Sequence, residues 1–136
     1  MRKYHLNYNY IIADFVSKLN VGLLRKLRFI KIIKSLIYIK LLIILYKYGV
    51  IRTFKIGLDH ILVYFKFYRG QPFLKLSIVS RPGKRCYWNL GSLSKNYNSH
   101  NFSGFYIIST QKGLVTSDYC LLSGRVSGEV LIKVDI

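Results

Sequence analysis

The apolar stretch Leu36 to Leu45 (LIYIKLLIIL) constrains the fold most, because it must either cross a membrane or be buried against the rest of the chain. A membrane-spanning helix needs about 20 largely apolar residues. Lys34, Lys40 and Lys47 interrupt the run well short of that length, and the last two lie seven residues apart, on one helical face. We therefore predict a buried amphipathic helix with a polar stripe, capped at its N-terminus by Ser35.

Hydrophobic periodicity and turn residues predict the other elements of the N-terminal half. Short connections between the strands favour an antiparallel meander, so this half reads α-β-α-β-β-β, with helices on one face of a sheet. The predicted elements are a helix from about Tyr8 to Asn20 that ends near Gly22, a short strand in the later part of residues 25–31, the helix from Ser35 to about Tyr48 that stops at Gly49, and strands at Val50 to Ile56, Ile61 to Phe67 and Phe73 to Val79.

A smaller unit is predicted after a change in composition. Residues 90–103 are rich in Asn, Ser, Lys and Gly, which is typical of a loop. The elements predicted beyond it are a strand at Phe105 to Ser109, a tight loop at Thr110 to Gly113, a helix from about Thr116 to Leu122 and a strand at Gly128 to Val134.

These elements predict an α+β fold in two units. An N-terminal α-β-α-β-β-β unit, residues 1–79, packs against a smaller β-rich C-terminal unit with one short helix, residues 104–136. A basic turn and a polar loop, residues 80–103, connect them.

The charge balance indicates an anionic partner. The chain carries 22 Lys and Arg against 5 Asp and Glu, a net charge of +17 over 136 residues. So large a surplus repels itself unless an anion neutralises it, which favours nucleic acid, with an anionic membrane surface as the weaker alternative. The surplus is concentrated in residues 1–52, which hold eleven basic residues and one acid. Because 51% of the residues are hydrophobic, a disordered chain is excluded.

The residues that enzymes need are sparse. The two cysteines, Cys86 and Cys120, form no C-x-x-C pair, and no two histidines have the spacing of metal ligands, so we expect no metal site and no disulfide scaffold. Phosphate-binding glycine loops are absent, and we expect no cofactor. Asp59, Asp118 and Glu129 could meet in space, which leaves a basic nuclease or RNA-modifying enzyme as an alternative. We expect a protein that is not an enzyme.

Residue usage indicates an origin in an organelle genome. The chain is rich in residues with A/T-rich codons, such as Ile, Lys, Tyr and Asn, and Ala13 is its single alanine. The N-terminus has neither the cleavage site of a secretory signal nor the Arg and Ser content of a transit peptide. We therefore expect a protein made inside an organelle, a mitochondrion rather than a plastid.

Two motifs in order carry a family resemblance. The first is SRPGKRCY at residues 80–87, and the second is GFYIISTQKGLVT at residues 104–116, followed by Gly128-Glu129 before the last strand. They resemble protein 8 of the small ribosomal subunit in its bacterial and organellar form, which carries S-R-P-G-x-R-x-Y, then S-T-S-x-G-x-x-T-D, then Gly-Glu before the final strand. The resemblance covers nearly the whole chain and is strong from about Leu74 onward.

The chain departs from the family pattern at several positions. Gln111 replaces the second serine of the loop, and the family's T-D becomes Thr116-Ser117, with Asp118 one place late. Cys120 stands where the family packs a small residue, usually alanine. The N-terminal half keeps only Ser35 of the proline and paired serines usual before the second helix.

The resemblance implies a structural protein that binds the central domain of small-subunit rRNA and holds a helical junction in place during assembly. Its other partners would be neighbouring small-subunit ribosomal proteins, on the mitochondrial ribosome in the matrix. We expect no contact with a membrane and no homo-oligomer. A basic peripheral membrane protein or another RNA-binding protein remains the alternative.

The predicted RNA-binding residues fall in three segments. Hydroxyls in the loop can read 2′-OH groups and base edges of structured RNA, although the loop could also be only a turn capped by Thr116. The basic turn could contact RNA or brace the two units, and the N-terminal cations could be a solvated surface. The residues are Ser109, Thr110, Gln111, Lys112 and Gly113 in the loop; Ser80, Arg81, Gly83, Lys84, Arg85 and Tyr87 in the turn; Arg25, Lys26, Arg28, Lys31, Lys34 and Ser35 in the N-terminal basic edge; and Glu129, which the resemblance sets beside the loop.

Overall fold

The fold is mixed α+β, as predicted, with four helices and nine strands among the residues that the structure describes. The chain is described from a computed structural model that covers residues 2–81, 83–99, 102–124 and 128–136. The elements are α1 (Arg2–Leu24), β1 (Phe29–Ile33), α2 (Leu36–Lys47), β2 (Thr53–Ile56), β3 (His60–Tyr64), β4 (Phe67–Tyr68), β5 (Gln71–Pro72), β6 (Lys75–Ile78), α3 (Leu90–Tyr97), β7 (Gly104–Thr110), β8 (Gly113–Thr116), α4 (Ser117–Ser123) and β9 (Gly128–Asp135).

The chain divides into two compact units. Residues 15–75 form one, here called the N-unit, and residues 76–135 form the other, the C-unit, together with the start of α1. The division predicted from the sequence places its boundary within residues 80–103. It is based on a change in composition, whereas the two units are defined by contacts, and it stays a prediction.

An antiparallel three-stranded sheet in the order β1-β3-β2 organises the N-unit. Alternate residues of a strand point to opposite faces. Ile61 and Val63 of the central strand are fully buried, and Ile32 of β1 is buried on the same face. The two helices contribute the rest of this core, and the ring of Phe15 in α1 lies 5.1 Å from that of Tyr38 in α2. Each such fully buried apolar side chain stabilises the fold by about 1.5–3 kcal/mol.

The helix formed by the apolar stretch follows the prediction closely. α2 begins after Ser35, whose backbone is extended as an N-cap requires, although its hydroxyl makes no capping hydrogen bond. Gly49 follows the last turn with φ +73°, a conformation that costs glycine little. No helix among the described residues is long and apolar enough to cross a membrane.

The first helix is longer than predicted, and Gly22 does not end it. α1 continues to Leu24, so Gly22 lies inside its last turn. A Cβ atom at Gly22 would stand 2.6 Å from the side chain of Ile30 and 2.7 Å from that of Phe65. Gly22 therefore allows the helix to lie close to Ile30 and Phe65. It does not end the helix, which was the role predicted for it.

The prediction that the third long strand continues the N-terminal meander is wrong. β6 belongs to a four-stranded sheet with the order β6-β9-β7-β8. A small hairpin of β4 and β5 precedes it, with Arg69 at φ +52° and Gly70 at φ +77° in its turn. Alternation along a strand predicts which residues are buried but not which partner strand it joins, so local pattern could not reveal this pairing.

Within its described residues the C-unit contains α3 as well as α4, the short helix predicted for residues 104–136. The polar stretch predicted as a loop forms α3, because Asn89 caps it by accepting a hydrogen bond from the Ser92 amide at 2.7 Å and Leu93 is fully buried. α4 begins where predicted, after Thr116. A core cluster of Leu93, Tyr106, Ile108, Cys120 and Val130 joins the helices to the sheet.

Candidate nucleic-acid interface

The predicted tight loop is the tip of the β7–β8 hairpin. Thr110 pairs with Gly113, and its hydroxyl donates to the Gly113 carbonyl at 3.0 Å and accepts from the Lys112 amide at 3.2 Å. Gly113 has φ +105°, in the region that favours glycine. Gln111 and Lys112 are therefore held at an exposed tip. β8 separates this tip from α4, whereas no strand was predicted between the loop and the helix.

Ser109 and Glu129 face each other across the β7–β9 pair. The Glu129 side chain is 12% exposed, and its Oε1 is buried and accepts no hydrogen bond from the part of the protein that the structure describes. The guanidinium Nε of Arg85 lies 3.8 Å from that oxygen. A carboxylate oxygen held this way keeps acceptor capacity, on the residue that pairs with Ser109.

Backbone hydrogen bonds fix the basic turn next to β9. The Arg81 amide donates to the Lys84 carbonyl at 3.0 Å, and the reverse bond is 2.9 Å. The Ser80 hydroxyl is buried and accepts from the Cys86 amide at 2.8 Å. Ser80 therefore supports the turn from inside, while Arg81, Gly83, Lys84, Arg85 and Tyr87 are exposed.

The two motifs lie on opposite sides of the same strand. The Val130 amide donates to the Cys86 carbonyl at 2.9 Å on one side of β9, while Ser109 and Thr110 pair with Glu129 and Gly128 on the other. The start of β9 thus brings the exposed cations of the turn and the hydroxyls of the hairpin onto one unit. We call this set, residues 80–81, 83–87, 109–113 and 128–129, the hairpin surface.

The N-terminal basic edge lies in the N-unit. Arg25, Lys26 and Arg28 follow α1, where Lys26 takes φ +57° in a tight turn. Lys31 is on β1, and Lys34 precedes α2 with its amide donating to the Asp59 carbonyl at 2.9 Å. The five cations are exposed, and Ser35 is half-buried.

Sequence reasoning missed a further group of exposed residues in the N-unit. Arg52 and Lys55 line a groove of about 740 Å³ together with Tyr64. The signal was present in the alternation of β3, where the aromatic residue falls on the face opposite the buried Ile61 and Val63.

Two groups with shifted pKa values, the Cys120 thiol and the Tyr106 hydroxyl, lie in the C-unit core. Burial raises the pKa of the Cys120 thiol. Burial, and secondly the nearby Asp135 carboxylate, raise the pKa of Tyr106. Asp118 accepts a hydrogen bond from the Tyr97 hydroxyl, which links α4 to α3. Among the described residues no three His, Cys, Asp or Glu side chains are grouped so that they could hold a metal ion.

A family model and individual proteins that match this chain all belong to one ribosomal protein family. The family model for ribosomal protein S8 matches residues 10–134. The small ribosomal subunit protein uS8 of Neorickettsia sennetsu is 32% identical over 132 residues, which covers 93% of this chain and 98% of that protein. The uS8 of Ehrlichia ruminantium is 35% identical over 129 residues, with 90% and 95% covered.

A mitochondrial relative is also similar. The small ribosomal subunit protein uS8m of Acanthamoeba castellanii is 29% identical over 127 residues, covering 92% of this chain and 98% of that protein. The family match spans both units and includes the basic turn, the β7–β8 hairpin and the Gly-Glu pair at the start of β9. The chain therefore belongs to the ribosomal protein S8 family.

Proposed function

We propose that this chain is a structural constituent of the small ribosomal subunit, where it binds rRNA and neighbouring small-subunit proteins. Its family consists of structural, non-enzymatic proteins that bind rRNA. The observation that carries the proposal is the meeting of the two motifs at the start of β9, with hydroxyls on one side and cations on the other. The rRNA segment we propose is the central domain, at a helical junction.

The hairpin surface offers two kinds of contact to a structured RNA. Ser109, Thr110 and Glu129 offer hydrogen-bonding groups of the kind that read 2′-OH groups and base edges in a shallow minor groove. The Thr110 oxygen keeps a second lone pair after accepting from the Lys112 amide. Gln111 stands at the exposed tip, and the space around Gly113 is open, so RNA can approach the hairpin closely.

Cations around these hydroxyls supply affinity without reading sequence. Lys112 at the hairpin tip and Arg81 and Lys84 in the turn are exposed and positioned for phosphates. Tyr87 is 63% exposed and can stack on a base or a sugar. Arg85 also forms an ion pair with the carboxylate of Glu129, which compensates that negative charge.

The N-unit adds the basic edge formed by Arg25, Lys26, Arg28, Lys31 and Lys34, with Ser35 beside them. We propose that these exposed cations neutralise phosphates of the same rRNA. They would raise affinity for any RNA, while discrimination comes from the hairpin surface.

We further propose that the protein acts as a single copy on the mitochondrial ribosome, in the matrix. Support comes from the A/T-rich codon usage implied by its composition and from the similarity to a mitochondrial uS8m. A plastid ribosome is less favoured.

The test is sedimentation of an epitope-tagged full chain in a sucrose gradient of mitochondrial lysate. We expect the tag to migrate with small ribosomal subunits and to shift to free protein after ribonuclease treatment. Migration with membrane vesicles, unchanged by ribonuclease, would instead support a peripheral membrane protein and overturn the proposal.

A further inference from the structure

The face of the N-unit sheet opposite its core carries aromatic residues. Strand alternation places Ile61 and Val63 inward and Leu62 and Tyr64 outward on β3. Phe29 of β1 lies directly opposite Tyr64, so both project from the outer face, and their ring centroids are 5.5 Å apart with a tilt of 40°. Phe29 is 49% exposed. The rings of Phe29 and Tyr64 are therefore neighbours on the solvent-facing side of the sheet rather than in the core.

Cations surround these rings. Lys31 and Lys55 pair with Leu62 from either side, so they share the outer face of the sheet. The Lys55 ammonium lies 5.6 Å from the centroid of the Tyr64 ring. Arg28 and Arg52 line the groove of about 740 Å³ beside the rings, and the described residues that line it include no Asp or Glu.

One further cation of this groove has partners of its own. The Lys66 ammonium donates to the Gly49 carbonyl at 3.0 Å and lies 5.0 Å from the centroid of the Phe73 ring. Because of this hydrogen bond we assign Lys66 to the wall of the groove. We assign Arg28, Arg52 and Lys55, which contacts the Tyr64 ring, to the ligand.

We propose that this outer face, with Phe29, Tyr64, Arg28, Arg52 and Lys55, binds an unpaired stretch of RNA. One or two bases stack on the two rings, and the phosphates on either side meet the three cations. Unpaired bases have open π-faces, and stacking with backbone neutralisation is how proteins hold single strands. A neutral apolar partner would leave the cations unpaired, which is why charge complementarity favours nucleic acid over an ordinary protein surface.

This site goes beyond the proposed function, which gives the N-unit only phosphate neutralisation by its basic edge and leaves the reading of structured RNA to the hairpin surface. Arg28 belongs to both, so the rings and Lys55 carry the test. The two can be tested apart. The probes are a fluorescein-labelled oligouridine strand and a labelled central-domain rRNA hairpin of similar phosphate number, each titrated with the full chain and followed by fluorescence anisotropy.

Tyr64→Leu keeps an apolar side chain but removes the stacking ring, and we expect oligouridine affinity to fall about tenfold. Tyr64→Phe keeps the ring and should stay within about twofold of the parent. Lys55→Ala should weaken oligouridine binding and make its salt dependence shallower. Lys40→Ala, an exposed lysine on α2 of the same unit, removes the same charge elsewhere and should have little effect.

Melting temperatures show whether each variant is folded. If Tyr64→Leu does not fold, Phe29→Leu is used in its place to remove a stacking ring. The proposal is overturned if folded ring variants bind oligouridine like the parent, or if they lose oligouridine and hairpin affinity in equal measure. It is also overturned if a polyglutamate peptide displaces oligouridine at equal concentration, because the face would then suit an acidic protein segment. None of these results bears on migration with small subunits, so the proposed function stands or fails separately.

Discussion

Gly128 lies so close to Ser109 across the β7–β9 pair that a Cβ atom on it would overlap the Ser109 carbonyl oxygen. The first residue of β9 therefore sets the distance between the two strands that carry the hydroxyls and the carboxylate of the hairpin surface. A side chain there would push apart the groups proposed to read RNA.

Gly128→Ala is accordingly expected to destabilise the protein by about 1–3 kcal/mol, since extra volume in a filled space forces the backbone to shift. Thermal or urea unfolding measures the change. The matched control is Gly91→Ala in α3, where the added Cβ meets Asn89 at an ordinary 3.5 Å and alanine favours the helix by up to about 1 kcal/mol. If both variants unfolded like the parent, the close approach of the strands would be contradicted.

Binding to a central-domain rRNA hairpin should weaken steeply as salt rises. Each phosphate that a lysine or arginine neutralises releases condensed counterions, so the logarithm of the affinity falls linearly with the logarithm of salt concentration. From the net charge of +17 we expect this to be the main contribution to affinity. An affinity that stayed flat over a roughly tenfold range of salt would rule out phosphate neutralisation as the dominant interaction.

Thr110→Ala and Lys112→Ala should affect RNA binding differently. Loss of the hydroxyl should reduce the preference for cognate over scrambled RNA by about 1 kcal/mol and leave the salt slope nearly unchanged. Loss of the ammonium should weaken both RNAs alike and make the slope shallower by about one contact.

Thr110→Ser is the control for that comparison, because it keeps the hydroxyl that bonds the Gly113 carbonyl and the Lys112 amide. Melting temperatures are measured alongside, since the same hydroxyl stabilises the turn. A Thr110→Ala variant that melted earlier but discriminated normally would mean that the residue only holds the hairpin together.

Cys120 should tolerate alanine and reject a charge. Cys120 is 2% exposed and belongs to the C-unit core cluster, so Cys120→Ala loses little volume. Cys120→Asp instead places a carboxylate without a partner among apolar side chains. We expect the aspartate variant to lose about 3 kcal/mol or more. Equal melting temperatures would indicate an exposed position and an incorrect register for α4.

The raised pKa of the Cys120 thiol gives a pH dependence with a definite sign. On raising the pH, the thiol of the unfolded chain ionises first, near its ordinary pKa of about 8.5, while the folded protein keeps its proton. Stability from this group is therefore complete below that pH and is lost as the pH rises towards the folded value. Urea unfolding at about pH 8 and about pH 10 should show a larger loss for the parent than for Cys120→Ala, and identical losses would contradict the assignment.

Local signals predicted α2 and α4 well. Ser35, Gly49 and Thr116 are boundary residues whose effect depends on their own backbone and their immediate neighbours, so the sequence around them is sufficient. α3 escaped prediction because Leu93 is its single buried residue, and one apolar side chain produces no periodicity.

The partner of β6 and the buried position of Ser80 depend on residues far away in sequence. β6 pairs with β9, which follows it only after two further helices and two further strands, and Ser80 is covered because the segment after it is tied to Val130. The family resemblance was sufficient to predict which residues belong to the candidate site, but not how they are arranged. The outer face around Tyr64 belongs to no motif, so the resemblance could not indicate it.

The place of β9 between β6 and β7 has a consequence for the order in which the chain can fold. During synthesis β9 is the last of the nine described strands to leave the ribosome, yet it is the strand to which both the basic turn and the hairpin are attached. A nascent chain that reaches only as far as α4 has the turn and the hairpin but nothing to hold them at a fixed separation. We therefore expect the rRNA contacts proposed for the hairpin surface to form only after β9 has been translated.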